Sequence, residues 1–201
     1  MRRGKFVTLE GVDGAGKSTH LQFVADALAA TGRRVVVTRE PGGTELAEQL
    51  RRTVLAEKLS PVMATLLVFA GRADHVARVI EPALAAGSVV VCDRFTDATI
   101  AYQGAGQGVA RDLIDRLAKE VHPRLSPDRT LVFDCPYEIA VKRLSGKKLD
   151  RFESEDRAFF ERVRAAYLAL AKAEPGRVRV IDASGDPASI RKLIQRDLEG
   201  L

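Results

Sequence analysis

Residues Phe6 to Thr19 read F-V-T-L-E-G-V-D-G-A-G-K-S-T, and the reading of this stretch decides the fold. The apolar run Phe6 to Glu10 predicts a strand, and a helical pattern continues from Ser18 to Ala30. Between them Gly11-Val12-Asp13-Gly14-Ala15-Gly16-Lys17-Ser18 satisfies G-x-x-x-x-G-K-[ST]. In that context the glycines let backbone N–H groups wrap phosphate oxygens, and the helix N-terminus adds a partial positive charge. Lys17 reaches the β- and γ-phosphates and Ser18 ligates Mg²⁺. Gly11, Val12, Asp13, Gly14, Ala15, Gly16, Lys17, Ser18 and Thr19 are the expected triphosphate-binding residues.

Outward from this loop, further strand-like runs occur at Arg34 to Thr38, Ser88 to Cys92, Thr130 to Asp134 and Val178 to Ile181. They are nearly unalternated, as strands buried on both faces are. Helical periodicity marks Glu45 to Ala56, Pro61 to Ala85, Ala110 to Val121, Ile139 to Leu144, Glu155 to Ala173 and Pro187 to Leu198. Alternating strand and helix predicts an α/β fold, a parallel five-stranded sheet covered by helices on both faces. Gly32, Gly87 and Gly176 stand where helix C-caps want left-handed backbone. No repeat or linker interrupts residues 1–201, so one domain is expected, with the basic segment Ser145 to Arg151 as a short lid.

The chain of 201 residues is 46 % hydrophobic and 29 % charged, the composition of a globular protein with one core. Its longest apolar stretches fall short of a membrane span, and Met1 to Gly4 leads into a strand with no signal-like segment. The expectation is a cytoplasmic protein with no membrane partner. Cys92 and Cys135 each end a strand-like run and read as buried thiols, with no disulfide. The net charge of +5 permits a nucleic-acid partner, but Lys and Arg are dispersed among 27 acidic residues without a basic run, so none is expected. Two phosphorylated ligands would equally call for surplus cations.

The phosphate loop alone leaves the chemistry open. A GTPase would carry N-K-x-D near the fourth strand, and none occurs; Asp182 to Gly185 spells D-x-x-G beyond the last strand. A remodelling ATPase would end its third strand in an acidic pair, whereas here it ends Cys92-Asp93-Arg94. A kinase of small molecules fits better.

More clusters fall at the ends of strands, where open α/β sheets place ligands. These are Thr38-Arg39-Glu40-Pro41-Gly42-Gly43-Thr44, Asp93-Arg94-Phe95, and Thr99-Ile100-Ala101-Tyr102-Gln103-Gly104. Ahead of the third strand, Phe69, Arg72 and His75 lie along one helical face. In order, G-V-D-G-A-G-K-S-T, R-E-P-G-G-T, F-A-G-R-A-D-H, D-R-F-T-D-A-T-I-A-Y-Q-G and L-D-R-F-E closely resemble the thymidylate kinase family, over Phe6 to about Leu170. The resemblance implies a P-loop kinase fold with a lid, transfer of phosphate from Mg·ATP to dTMP, and a homodimer. ATP and Mg²⁺ are the implied cofactors.

Carried over to this chain, the family's roles make Arg94 the holder of the dTMP phosphate and a stabiliser of the moving phosphoryl group. Phe69 stacks on thymine, Arg72 donates to its O4, and Thr99 and Gln103 contact the base edge, with Glu40 and Pro41 beside them. Tyr102 closes the space of a ribose 2′-hydroxyl. Asp13 sits near the acceptor's 3′-hydroxyl or the Mg²⁺ shell, and Asp93 holds Mg²⁺ through water or orients Arg94. His20, His75 and His122 read as packing or surface residues. The chain departs from the family in two places. Gly14 replaces a P-loop cation and moves catalysis to the lid, where Arg143 and Arg151 are the nearby guanidiniums and Lys147 and Lys148 replace the usual arginines. Phe69 stands three residues before Arg72 instead of four, which leaves Val68 as the alternative neighbour of the base.

Overall fold

The computed structural model describes residues 3–145, 151–153 and 155–201. Lys147 and Lys148 of the expected lid lie outside the described residues. Five strands, β1 (Phe6–Gly11), β2 (Val35–Arg39), β3 (Val89–Asp93), β4 (Arg129–Asp134) and β5 (Val178–Asp182), form one sheet in the order β2-β3-β1-β4-β5. Every pairing is parallel. All strands therefore end on one side, and the chain reverses its direction of travel across the sheet around central β1. That crevice is where doubly wound sheets bind ligands.

The helices are α1 (Lys17–Ala29), α2 (Glu45–Ala56), α3 (Pro61–His75), α4 (Glu81–Ala85), α5 (Thr96–Thr99), α6 (Arg111–Val121), α7 (Tyr137–Leu144), α8 (Arg157–Ala173) and α9 (Pro187–Leu198). Phe6, Val90 and Cys92 cluster with Val76, Ile80 and Leu84 on one side of the sheet. Val7, Leu9, Val89 and Val91 cluster with Val24 and Leu28 of α1. Because successive side chains on a strand point to opposite faces, apolar strands without alternation need both covers. Among the described residues no helix is long and apolar enough to cross a membrane.

The helical pattern expected over 61–85 is broken by a π-helical turn, Val76–Ile80, between α3 and α4. Pro82 explains it, since its ring and missing N–H are incompatible with an unbroken α-helical ladder. A second π-helical segment, Ile100–Gly106, follows α5, a helix that the sequence pattern conceals behind Thr99, Gly104 and Gly106. Gly32 and Gly87 adopt φ of 79° and 80° as expected of caps. Gly176 does not; α8 is capped by Glu174, whose carbonyl accepts from the N–H groups of Arg177 and Val178.

Beneath α5, Arg177 Nη1 donates to Asp97 Oδ2 at 2.7 Å and to Thr130 Oγ1 at 2.8 Å, and Thr130 also meets Thr8 Oγ1 at 2.8 Å. This pair ties α5, and so the loop after β3, to β1, β4 and the start of β5. Removing one partner of a buried pair strands the other charge. Arg177→Ala is expected to destabilise the fold by roughly 3 kcal/mol, and adding Asp97→Asn to recover at least half of that. Urea unfolding of both variants checks this; equal stability of the single variant and the parent would remove the staple.

Candidate active site

Where β1 ends, the loop from Gly11 to Gly16 turns into α1, with Gly16 as a left-handed N-cap at φ 94°. Lys17 is buried, and its Nζ donates to the carbonyls of Gly11 at 3.0 Å and Val12 at 3.1 Å. Burial and the neighbouring Arg94 charge depress its pKa, opposed by Asp13, Asp93 and Glu10. At Gly14 φ is 78°, and a Cβ would fall 2.4 Å from the Ala140 carbonyl oxygen. The packing of α7 against the loop is thus the reason that no side chain, basic or otherwise, occupies this position.

Arg143, on the last turn of α7, bridges this loop to β5: Nη1 donates to Ala15 O at 3.3 Å and Nη2 to Ala183 O at 2.8 Å. An open cavity is lined by the loop from Asp13 to Thr19, by Asp93 and Arg94, and by Arg143. Asp93 Oδ1 is buried there without a hydrogen-bond partner among the described residues. An orphaned carboxylate oxygen and the Ser18 hydroxyl on one cavity wall are hard donors that suit Mg²⁺, which takes one or two protein oxygens beside phosphate and water. Among the described residues no cluster of three His, Cys, Asp or Glu could hold a metal by itself.

Arg94 is the one described non-glycine residue with positive φ, 72°, at a cost of about 1 kcal/mol. Its main-chain N–H donates to Leu9 O at 2.9 Å. Nη2 donates to Asp13 Oδ1 at 2.6 Å and to the Tyr102 hydroxyl at 2.9 Å; Nη1 donates to Gly11 O at 3.0 Å and to the Tyr167 hydroxyl at 3.2 Å. Its partner is Asp13, not Asp93. Tyr102 in turn donates to Asp13 Oδ2 at 2.7 Å. Burial raises the Asp13 carboxyl, but Arg94, Lys17 and the Tyr102 hydroxyl outweigh it and hold the group below its ordinary value.

A second cavity is bordered by Glu40, Pro41, Arg72, Thr99, Tyr102 and Gln103. The Glu40–Pro41 bond is cis. Consecutive Tyr102 and Gln103 both reach the cavity from the π-helical segment Ile100–Gly106. Arg72 donates from Nε to Glu40 Oε2 at 2.6 Å and from Nη2 to Thr99 Oγ1 at 3.0 Å. Two expected residues sit elsewhere. Phe69 is packed with Val109 and Ile114, its ring 4.5 Å behind the Arg72 guanidinium, and Val68 takes the place on the cavity wall because it stands one full turn before Arg72. Arg151 donates to the carbonyls of Glu57 at 3.1 Å and Leu59 at 2.8 Å, which draws it to the α2–α3 connection and away from the phosphate loop. The two cavities share Asp13, Glu40, Arg51 and Arg94.

The profile of the thymidylate kinase family matches residues 9–194. The chain belongs to the thymidylate kinase family. It is 56 % identical over 200 residues to a thymidylate kinase of Bordetella petrii, covering 99 % of this chain and 97 % of that one. With a thymidylate kinase of Pseudomonas syringae pv. tomato it shares 52 % over 202 residues, 98 % of this chain and 96 % of the relative. The crystal structure of thymidylate kinase from Ehrlichia chaffeensis superposes with a TM-score of 0.81 at 34 % identity, covering 98 % of this chain and 99 % of the other.

Within this family frame, the structure adds residues that sequence reading passed over. Arg51 of α2 borders both cavities and donates to Pro41 O at 2.8 Å, but on an amphipathic helix it reads as one more surface cation. Glu10 Oε1 accepts from Phe95 N–H at 2.7 Å and Oε2 from the Tyr167 hydroxyl at 2.8 Å, so it braces Arg94 through its backbone neighbour and through Tyr167. An acidic residue inside an apolar strand was the available signal.

Burial pushes the Glu10 carboxyl from an ordinary 4.5 up to about 8; Asp97 adds to this, while Arg94 and the bonds from Tyr167 and Phe95 oppose it. A raised acid gives stability that is complete below pH 4.5 and lost as pH climbs through 8. Glu10→Gln does not titrate. Its stability relative to the parent should therefore rise by a few kcal/mol across that window, seen in urea unfolding at successive pH values. Parallel profiles would show that Glu10 is not buried as an acid.

Proposed function

We propose that this kinase transfers the γ-phosphoryl group of ATP, bound as its magnesium complex, to dTMP, forming dTDP and ADP on the route to dTTP. The observation that carries the reading is the meeting of two cavities at Arg94, one lined by the phosphate loop and one by Arg72, Thr99 and Gln103. Triphosphate fills the first and the thymidine nucleotide the second. An oxygen of the dTMP phosphate attacks the γ-phosphorus in line, the bond to the β-bridging oxygen breaks, and ADP leaves.

Phosphoryl transfer asks the protein for alignment and charge, and no protein nucleophile. Lys17 leaves the Gly11 and Val12 carbonyls for the β- and γ-oxygens. Arg94, on the border of the cavities, exchanges part of its bonding for the acceptor phosphate and the moving group. Arg143 adds charge from the side of Ala15. Ser18 and Asp93 would hold Mg²⁺, which when bound neutralises charge on the β- and γ-oxygens. Arg72 reads the base from the far end, Thr99 and Gln103 line its edge, and Tyr102 packs where a 2′-hydroxyl would lie. Exposed Val62 and Leu66, one turn apart on α3, with Met63, support a homodimer through this helix. We place the enzyme in the cytoplasm, with its two nucleotide substrates.

ADP release measured with dTMP, dUMP, dCMP, dGMP and UMP should be fastest with dTMP and require Mg²⁺. Faster turnover of dCMP or dGMP would replace the acceptor, and DNA-stimulated ATP hydrolysis without dTMP would replace the function. Arg94→Lys keeps the charge but not the fork, and kcat should fall by roughly 10²-fold. A rate equal to the parent's would make Arg94 a purely structural ion.

A further inference from the structure

Arg72 is 2 % exposed, and its guanidinium is fixed on three sides. Glu40 takes Nε, Thr99 takes Nη2, and the rings of Phe69 and Phe95 lie 4.5 and 5.1 Å from its central carbon. Nη1 remains buried without a partner among the described residues, on a side chain that borders the acceptor cavity. A buried donor without an acceptor is unfavourable, and a carbonyl oxygen in the cavity would relieve it. The direction in which Nη1 points is set by Glu40.

Glu40 is itself buried, and it is held by a further layer. His75, at the C-terminal end of α3 and wholly buried, meets Glu40 Oε1 through Nδ1 at 2.9 Å, and its Nε2 meets Thr38 Oγ1 at 2.7 Å. A nitrogen facing a carboxylate carries its proton, so Nδ1–H donates to Glu40, while Nε2 shares a hydrogen bond with the Thr38 hydroxyl. Burial raises the Glu40 carboxyl, but Arg72 and His75 together hold it below its ordinary value. The loop after β2 is shaped around this pair: Gly43 has φ 91°, and a Cβ there would lie 2.4 Å from His75 Nε2 and 2.7 Å from Thr38 Oγ1. Thr38, His75, Glu40 and Arg72 thus run as one chain of hydrogen bonds from half-buried Thr38 on β2 to the cavity.

We propose that His75 and Thr38 are positioning residues for base specificity, holding Glu40 so that Arg72 presents Nη1 to a carbonyl at position 4 of a pyrimidine and not to an amino group. This rests on the reading of Arg72 as the base-contacting residue. Neither His75 nor Thr38 touches the nucleotide; they restrict the rotation of the Glu40 carboxylate and through it the guanidinium plane.

The test is steady-state kinetics on dTMP and dCMP, with ATP varied separately. His75→Leu should raise KM for dTMP about tenfold with kcat and ATP KM within about threefold, and should lower the preference for dTMP over dCMP by a similar factor. His75→Asn keeps an N–H near the Nδ1 position and should restore most of the loss. Thr38→Val, which deletes only the distal hydroxyl, should move the same parameters by roughly threefold, and it carries the test if His75→Leu fails to fold. Arg72→Gln serves as the reference. If it abolishes the preference while the His75→Leu and Thr38→Val enzymes match the parent, the positioning role is overturned and the reading of Arg72 stands. If Arg72→Gln leaves the preference intact, the reading of Arg72 fails and this inference with it. Equal loss in kcat, ATP KM and dTMP KM together, without rescue by His75→Asn, would assign His75 to the fold alone.

Discussion

The ion pair between Arg94 and Asp13 is the constraint on which the site depends. A guanidinium with most of its surface buried has to spend its donors inside the protein, and here they reach Gly11, Asp13, Tyr102 and Tyr167. Those partners belong to the phosphate loop, the second π-helical segment and α8, so one side chain fixes three elements against the end of β3. The left-handed backbone at Arg94 is sustained from both sides: its own N–H is bound by Leu9 and the next by Glu10. Strain of this kind persists only where surrounding bonds over-determine it.

Parallel strand order supplies the rest of the geometry. With β1 central and β3 and β4 on its flanks, the phosphate loop, the Asp93-Arg94 turn and the carbonyl end of β4 rise on the same side of the sheet. The β2 end adds Glu40 across β3, where Glu40 N–H donates to Asp93 O at 2.9 Å. Two cavities that share a wall follow from this arrangement, and the shared wall carries both signs of charge.

Two separate chains of ionisable residues, most of them buried, reach the cavities. One runs from Glu10 through Tyr167 and Arg94 to Asp13, and the other from Thr38 through His75 and Glu40 to Arg72. Asp13 in the first and Glu40 in the second are held below their ordinary values by cations and donors beside them, while burial pushes Glu10 up. Each chain also ends on a cavity wall, so the cost of desolvation is carried by the framework before substrate arrives. Such preorganisation is worth most where charge develops during reaction.

Much of this was legible in the chain itself. The strand, the glycine-rich loop and the helix from Phe6 to Ala30 had to be read as a phosphate site because spacing, backbone freedom and a lysine converge there. Unalternated strands separated by helical periods dictated a parallel sheet, and motif order indicated the family. What the sequence could not carry was anything that depends on facing. Phe69 and Val68 are adjacent letters with similar apolar character, and only the packing of α3 on α6 places one in the core and the other on the cavity. His75 read as a packing or surface residue and Glu10 only as the end of a strand, because their partners lie 35 and 157 positions away. Arg151 read as a phosphate contact from its neighbours in the chain, yet carbonyls of a loop more than ninety residues earlier bind it. Local pattern sets the identity of strands, helices and the phosphate loop, since those are contests between near neighbours. Which buried donor meets which acceptor is decided by tertiary structure, because desolvation makes a polar group depend on partners that only the fold brings within hydrogen-bond distance.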